Sequence, residues 1–299
     1  MKRLPLLLFA IAMTLTTLAQ EHLKLMSYNI RNATGIDGIT DYQRIADIIL
    51  REAPDVVAIQ EIDSVTIRSK QKYVLGEIAT LTQMHSTYAP AIDYQEGKYG
   101  IGILSREEPL SVYRYPLPGR EEKRVLLMAE FDNYIFCCSH FSLTPEDRLA
   151  SVEIIKQIAT QHSHGKPLFL AGDLNDAPHT PEIQALTKDF ILLNDTLCPT
   201  YRANSPRITI DYITAWRHAN NHFERLTTEV LNEPVASDHL PIVVQLRMTK
   251  TPYYKRDRQR LFHLGKWRKK SDYSTDDDTR KAPRRKDIKS AKSQGRNTL

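Results

Sequence analysis

The chain is 299 residues long, 26% charged and 41% hydrophobic, with a formal net charge of +5 and three cysteines. That charge is unevenly placed: Lys250 to Leu299 holds 17 Lys or Arg against 6 Asp, a net of +11, Lys2 and Arg3 add +2, and residues 20–249 carry −8. Beyond the N-terminus no run is apolar for the roughly 20 residues a spanning helix needs, and about 230 residues bury a core without disulfides, which excludes a polytopic membrane protein and a cystine scaffold.

Met1 to Ala19 opens with Lys2 and Arg3, continues as an apolar run from Leu4 to Met13, and ends in Thr17-Leu18-Ala19. This is the pattern of a secretory signal peptide cut near Ala19–Gln20, and it points to a periplasmic or secreted protein. Residues 20–249 then read as one domain. Leu23 to Ile30 alternates as a strand, with Leu23, Leu25, Ser27 and Asn29 on one face and Met26, Tyr28 and Ile30 on the other. Asp41 caps a helix whose Ile45, Ile48, Ile49 and Leu50 recur at helical spacing, and Pro54 ends it. Asp55 to Gln60 is a buried strand, and a second helix covers about Lys72 to Leu81. Strand-like runs follow at Ile101–Leu104, Leu110–Tyr115, Val125–Phe131 and Tyr134–Ser139. Pro145 begins a helix with Leu149, Val152, Ile155, Ile158 and Ala159 as its apolar stripe. Leu168 to Ala171 is a buried strand, and further strands run over Ile208–Thr214, Leu226–Leu231 and Ile242–Leu246. Strand runs interrupted by separate helices argue for an α+β domain with sheets packed together and helices outside.

The neighbours Cys137 and Cys138 point to opposite faces of a strand, which argues against a bridge between them; either could pair with Cys198, and the favoured reading for all three is a small buried hydrophobe. Residues 250–299 combine dense charge with few apolar side chains, so they are expected to be disordered. Such a basic tail is suited to anionic polymers or membrane headgroups.

The ionisable residues are placed unusually. Glu61 follows directly on Ile59-Gln60. Asp173 follows Phe169-Leu170-Ala171-Gly172, with Asn175 two positions on. Asp211 lies inside Ile208 to Ile213, Asp238-His239 precedes the final strand, His140 ends Phe136 to Ser139, and Asn29 lies near the end of the first strand. A carboxylate beside buried aliphatics is costly unless paired or bound to a cation. Several at corresponding strand ends suggest one shared pocket, and acids with amides but no convergent cysteines match a hard cation such as Mg²⁺. If strand geometry continues past Asp173, Asn175 projects to the same side and the two hold one water, Asp173 taking its proton. Asp211 can orient His239 through one ring nitrogen and leave the other to donate to a phosphoryl oxygen. Glu61 would hold the metal.

These motifs resemble the endonuclease/exonuclease/phosphatase superfamily, the DNase I-like proteins. The matching strings are Ser27-Tyr28-Asn29-Ile30, Ile59-Gln60-Glu61, Ser139-His140-Phe141, Gly172-Asp173-Leu174-Asn175, Ile210-Asp211-Tyr212-Ile213 and Ser237-Asp238-His239-Leu240-Pro241, in the family's order across residues 23–247. The resemblance implies a four-layer αββα sandwich with the site at one edge of the packed sheets. It implies Glu61 and Asn29 at the metal, with Mg²⁺ expected and Mn²⁺ as the alternative. Asp173, helped by Asn175, would activate water; His239 with Asp211 would stabilise the transition state; Asp238 would assist a metal position or His239. His140 takes the place where relatives keep a residue facing the phosphate. Arg124, which opens a strand, is a phosphate contact or a surface arginine. Tyr99 to Arg106 also looks like the family, in a strand supporting the site. Gly35 to Asp41 resembles a subgroup linked to lipid remodelling of glycosylphosphatidylinositol anchors.

Three functions follow: a phosphodiesterase or phosphomonoesterase on a small or lipid-linked phosphate, a nuclease on DNA or RNA, and a non-catalytic binding module. No catalytic position is visibly lost, which argues against the third. Duplex-tracking nucleases offer a basic surface. A domain at −8 with no long basic, aromatic-interleaved insertion favours the first, with the basic tail as the counter-argument. A monomer is expected.

Overall fold

The computed structural model describes residues 21–220 and 223–248; the expected signal peptide and the basic tail lie outside the described residues. β1 (Glu21–Asn29) has the two faces its alternation predicts. Leu23 and Leu25 pack between two sheets, whereas Met26, Tyr28 and Ile30 pack outward against α1 (Tyr42–Glu52) and α2 (Val74–Thr82). β2 (Val56–Ser64) divides the same way, Val56 and Ala58 inward, Val57 and Ile59 outward. With β3 (His85–Tyr94) and β4 (Gly97–Ser105), and with β11 (Phe223–Val230) and β12 (Ile242–Met248) from the far end of the chain, they form a six-stranded sheet ordered β11-β12-β1-β2-β4-β3.

The second sheet is ordered β5-β6-β7-β8-β10-β9, from β5 (Ser111–Leu117), β6 (Arg124–Glu130), β7 (Ile135–His140), β8 (Leu168–Asp173), β9 (Phe190–Leu192) and β10 (Asp211–Trp216). Its outer face carries α3 (Pro145–His162) and α4 (Pro181–Asp189). One apolar cluster fills the space between the sheets and a further cluster lies under each helix pair, which makes the four layers helix, sheet, sheet, helix. Both sheets mix parallel and antiparallel pairs: β1 with β2 and β7 with β8 are parallel, so Asn29, Glu61, His140 and Asp173 emerge at one end. Among the described residues no helix is long and apolar enough to cross a membrane.

Local signals account for most boundaries. Asp41 accepts the Arg44 N–H at 3.0 Å as the N-cap of α1, and Ala53 closes it in the left-handed region just before Pro54. Pro145 opens α3, where its missing N–H removes no helical hydrogen bond. Some expectations need correction. Leu50 and Leu149, counted in apolar stripes, are 49% and 43% exposed; each lies at the margin of its helix's buried arc. The strand expected from Ile208 begins at Asp211, because Ile208 instead makes an isolated bridge to Tyr201 and Thr209 turns its hydroxyl to the Thr196 and Cys198 carbonyls. β3, α4 and β9 were not expected: β3 is polar and largely half-exposed, α4 has only Ile183 and Leu186 buried, and β9 has three residues. All three cysteines are free; Cys137 and Cys138 are buried on opposite faces of β7, whereas Cys198 is exposed rather than a core residue.

Candidate active site

Each polar side chain singled out above reaches this end for a local reason. β8 passes close to β7 at Gly172, where a Cβ would stand 1.9 Å from the Ser139 carbonyl oxygen; only glycine permits that approach. It sets Asp173 in register with His140 on β7 and with Asp211 on β10. β2 is irregular between Ile59 and Ile62, and Glu61 within that bulge has φ 59°. A left-handed glutamate is strained backbone of the kind a fold retains where a side chain must be aimed.

Asn29 ties the two sheets together. Its Nδ2 donates to Glu61 Oε1 at 3.0 Å and to Asp173 Oδ2 at 3.0 Å. The Arg31 N–H donates to Asn29 Oδ1 at 3.1 Å, which determines which end of the amide faces the carboxylates. Ser237 Oγ donates to the Asn29 carbonyl at 2.7 Å and so docks the segment before β12 onto β1. His239, 4% exposed, sits between two acids. Its Nδ1 lies 3.0 Å from Asp211 Oδ2, and its Nε2 lies 3.6 Å from Asp173 Oδ2.

The charges follow from this geometry. Burial disfavours an imidazolium at His239, but the carboxylates of Asp211 and Asp173, with Asp238 behind them, outweigh it and raise its pKa to about 10. His239 is therefore charged at neutral pH, and both ring nitrogens are donors. Its 3.4 Å contact with Asn29 Nδ2 is accordingly not a hydrogen bond, and the Nε2 proton stays directed at Asp173 or an incoming oxygen. Burial drives Asp173 up to about 7, against the pull of His239. His140, whose Nε2 is 3.5 Å from Asp173 Oδ2, is held well below its ordinary value by burial and by the positive charges of Arg124 and His239, so it is neutral.

Other expected positions need qualification. Asn175 does not continue the strand: β8 ends at Asp173, and Asn175 turns to φ 53°. Its backbone N–H donates to Asp173 Oδ1 at 2.9 Å and its Nδ2 to the Phe141 carbonyl at 2.9 Å, so it positions the Asp173 carboxylate instead of projecting beside it. Asp238 raises the His239 pKa through its charge, and its Oδ1 lies 3.4 Å from Ser237 Oγ. Arg124 is no surface arginine. It is 7% exposed, with Nη1 3.0 Å from Glu122 and Nη2 3.4 Å from Glu121, and its Nε has no partner.

Tyr201 went unnoticed in the sequence, yet its ring lies 4.8 Å from that of His239 across a two-residue bridge. It sits in an irregular polar loop with no periodicity to mark it. Glu121 and Glu122, in the connection between β5 and β6, carried no signal in the sequence either. Tyr99, placed in a supporting strand, is close enough to Glu61 for that carboxylate to raise its pKa along with burial.

Asp173, Asp211 and Asp238 act on a single imidazolium, and Glu61 joins Asp173 through the Asn29 amide, which concentrates negative charge at this end of the sheets. Asp173, Asp211 and His239 bring one ligand atom each within 4.8 Å of one another. However, His239 Nδ1 already bonds Asp211, which favours an orienting pair there. The half-buried Glu61 offers hard carboxylate oxygens, held in place by the Asn29 amide N–H, and with the surrounding acids it fits a divalent cation of the Mg²⁺ or Mn²⁺ type.

Residues 26–239 match the Endonuclease/Exonuclease/phosphatase family. The chain belongs to that family. Its members hydrolyse phosphoester bonds, and the stretch matched runs from the end of β1 to His239 itself. Solved structures agree on the fold. An endonuclease/exonuclease/phosphatase from Beutenbergia cavernae is 24% identical with a TM-score of 0.63, covering 78% of this chain and 73% of that one. A mannosyl-6-phosphatase from Bacteroides thetaiotaomicron is 19% identical at TM-score 0.60, with 75% and 99% covered. The human Nocturnin catalytic domain with bound sulfate is 17% identical at 0.59, with 76% and 94% covered.

Proposed function

We propose that this endonuclease/exonuclease/phosphatase protein is a divalent-metal-dependent phosphoric ester hydrolase that cleaves a phosphodiester or phosphomonoester by attack of water, acting in the periplasm or after secretion. The observation that carries the reading is the pairing of a buried Asp173, poised near pH 7, with a His239 that is charged at neutral pH and stands 3.6 Å away. One group is suited to take a proton and the other to give a hydrogen bond to developing negative charge.

In this scheme Asp173 takes a proton from water as the water oxygen bonds to phosphorus and the ester P–O bond breaks. His239 Nε2–H donates to a non-bridging phosphoryl oxygen, while Asp211 holds Nδ1–H and the ring orientation. Neutral His140 and Arg124 face the phosphate from the second sheet, and Asn175 and Asn29 hold the Asp173 carboxylate by its two oxygens. A cation bound at Glu61, whose carboxylate Asn29 holds in place, would supply charge neutralisation at the attacked phosphate.

Support for export comes from the N-terminal pattern, and support for a non-nucleic substrate from the acidic balance of residues 20–249. The test is hydrolysis of bis-p-nitrophenyl phosphate by the purified chain in Mg²⁺. Activity is expected to disappear in EDTA and return with Mg²⁺ or Mn²⁺; full activity in EDTA would refute the metal assignment. Plasmid DNA run alongside separates a nuclease from other phosphoesterases.

The same charges dictate a pH profile. Asp173 must be ionised to accept a proton, so kcat/KM should rise with pH through about 7. His239 must be protonated to donate, so kcat/KM should fall as pH passes about 10. Asp173→Glu should move the acid limb, and His239→Gln should abolish the alkaline limb and shift the acid limb to higher pH, because the imidazolium no longer pulls Asp173 down. A rate independent of pH between these values and beyond would contradict the roles.

A further inference from the structure

A cleft of about 490 Å³ opens beside the site, between the β3–β4 hairpin and the β5–β6 connection. It shares Ala91 and Glu122 with the narrow pocket where Tyr99, Arg124 and His140 meet, so it leads directly from the phosphate end. Its volume is that of a small-molecule site.

Its walls carry three acids, Asp93, Glu121 and Glu122, and three bases, Lys98, Arg120 and Lys123. Most of these are committed elsewhere. Lys98 and Asp93 pair with each other, and Arg120 forks onto Asp147 of α3. Glu121 accepts from Ser142 Oγ at 2.7 Å and the Leu143 N–H at 2.8 Å. Two groups are left over. Glu122 uses Oε1 on Arg124, and its Oε2 has no hydrogen-bond partner among the described residues; the Lys123 ammonium has none either. One edge of β3, Pro90 to Ile92, contributes an apolar wall.

An acyl chain would need apolar walls throughout, and a polyanion would need an excess of cations; this cleft has neither. One carboxylate oxygen to accept, one ammonium to donate and an apolar wall match a neutral polyhydroxylated group, whose hydroxyls line one edge and whose C–H bonds form a face. We propose that the cleft is a subsite for a neutral polyol or sugar moiety esterified to the phosphate, with Glu122 and Lys123 contacting its hydroxyls and Ile92 its apolar face. The assignment rests on the phosphoesterase reading of the neighbouring pocket.

The test is calorimetric binding to the full chain carrying Asp173→Asn in Mg²⁺, with glucose 6-phosphate, n-hexyl phosphate and inorganic phosphate as probes. Glucose 6-phosphate should bind about tenfold tighter than either of the others, the effect of one or two hydrogen bonds to charged groups. Adding Lys123→Ala, or Ile92→Trp to fill the cleft, should collapse that preference to within about threefold. Equal affinity for the three probes overturns the proposal, and so does a preference for n-hexyl phosphate, which would indicate a lipid-like occupant. A preference that persists while the unsubstituted chain turns over no ester in Mg²⁺ overturns the hydrolase reading and leaves the subsite standing.

Discussion

Asp173→Asn should lower kcat for bis-p-nitrophenyl phosphate by about 10³-fold, within the range lost with a general base. The substitution is isosteric, so the Asn175 N–H can still find an oxygen at the same place, 2.9 Å away in the parent. What disappears is the capacity to take the proton of water. The reading that Asp173 acts on chemistry requires kcat to fall much more than KM rises. Two stability effects oppose each other: an amide removes the cost of ionising a group that burial has pushed to about 7, but it also removes one partner of His239. Thermal unfolding should therefore shift by only a few degrees at pH 8. A kcat within tenfold of the parent would remove Asp173 from the mechanism.

His239→Ala should be more damaging, because it affects both catalysis and folding. Loss of the donor to the phosphoryl oxygen should cost about 10²–10³ in kcat, the size seen for a single preorganised donor. It also strips the cation from between two buried carboxylates, and breaking a buried pair costs about 3 kcal/mol, or roughly 6–12 °C of Tm for a domain of this size. The pH dependence separates the two effects. The folded-state pKa of about 10 lies above the ordinary 6.5, so the stabilisation is complete below 6.5 and lost as pH rises through 10. The Tm difference between parent and variant should thus be largest near pH 6 and shrink toward pH 10. A gap that widens with pH would mean that His239 is held neutral. Asp211→Asn, which keeps the ring contact but not the charge, should lower the alkaline limb of the rate profile, as expected of a positioning residue.

Much of this was legible in the chain itself. The two faces of β1, the buried run of β2, the Asp41 cap, the Pro145 start and the opposed cysteines of β7 are short-range consequences of side-chain period and backbone chemistry. The site was legible for a different reason: an acid directly after a buried aliphatic run is expensive, so Glu61 and Asp173 stand out without any structure. Elements that bury little, such as β3 and α4, left no such mark, since a half-exposed strand can be as polar as a loop.

What the sequence by itself determined is which residues are polar at strand ends and that helices lie outside packed sheets. Only the tertiary structure decided how those ends meet. Asn29 and Asp173 lie 144 residues apart and Asn29 and His239 lie 210 apart, yet the first pair bonds directly and the second is in contact. Asn175 shows the limit most clearly: its spacing from Asp173 suggested a shared water, and a single left-handed residue turned it into a clamp on the carboxylate. The charged state of His239 and the neutral state of His140 likewise depend on which groups stand around each ring. Periodicity specifies which face a side chain takes, whereas a pKa and a cleft arise from atoms that distant segments bring together, and no local pattern encodes them.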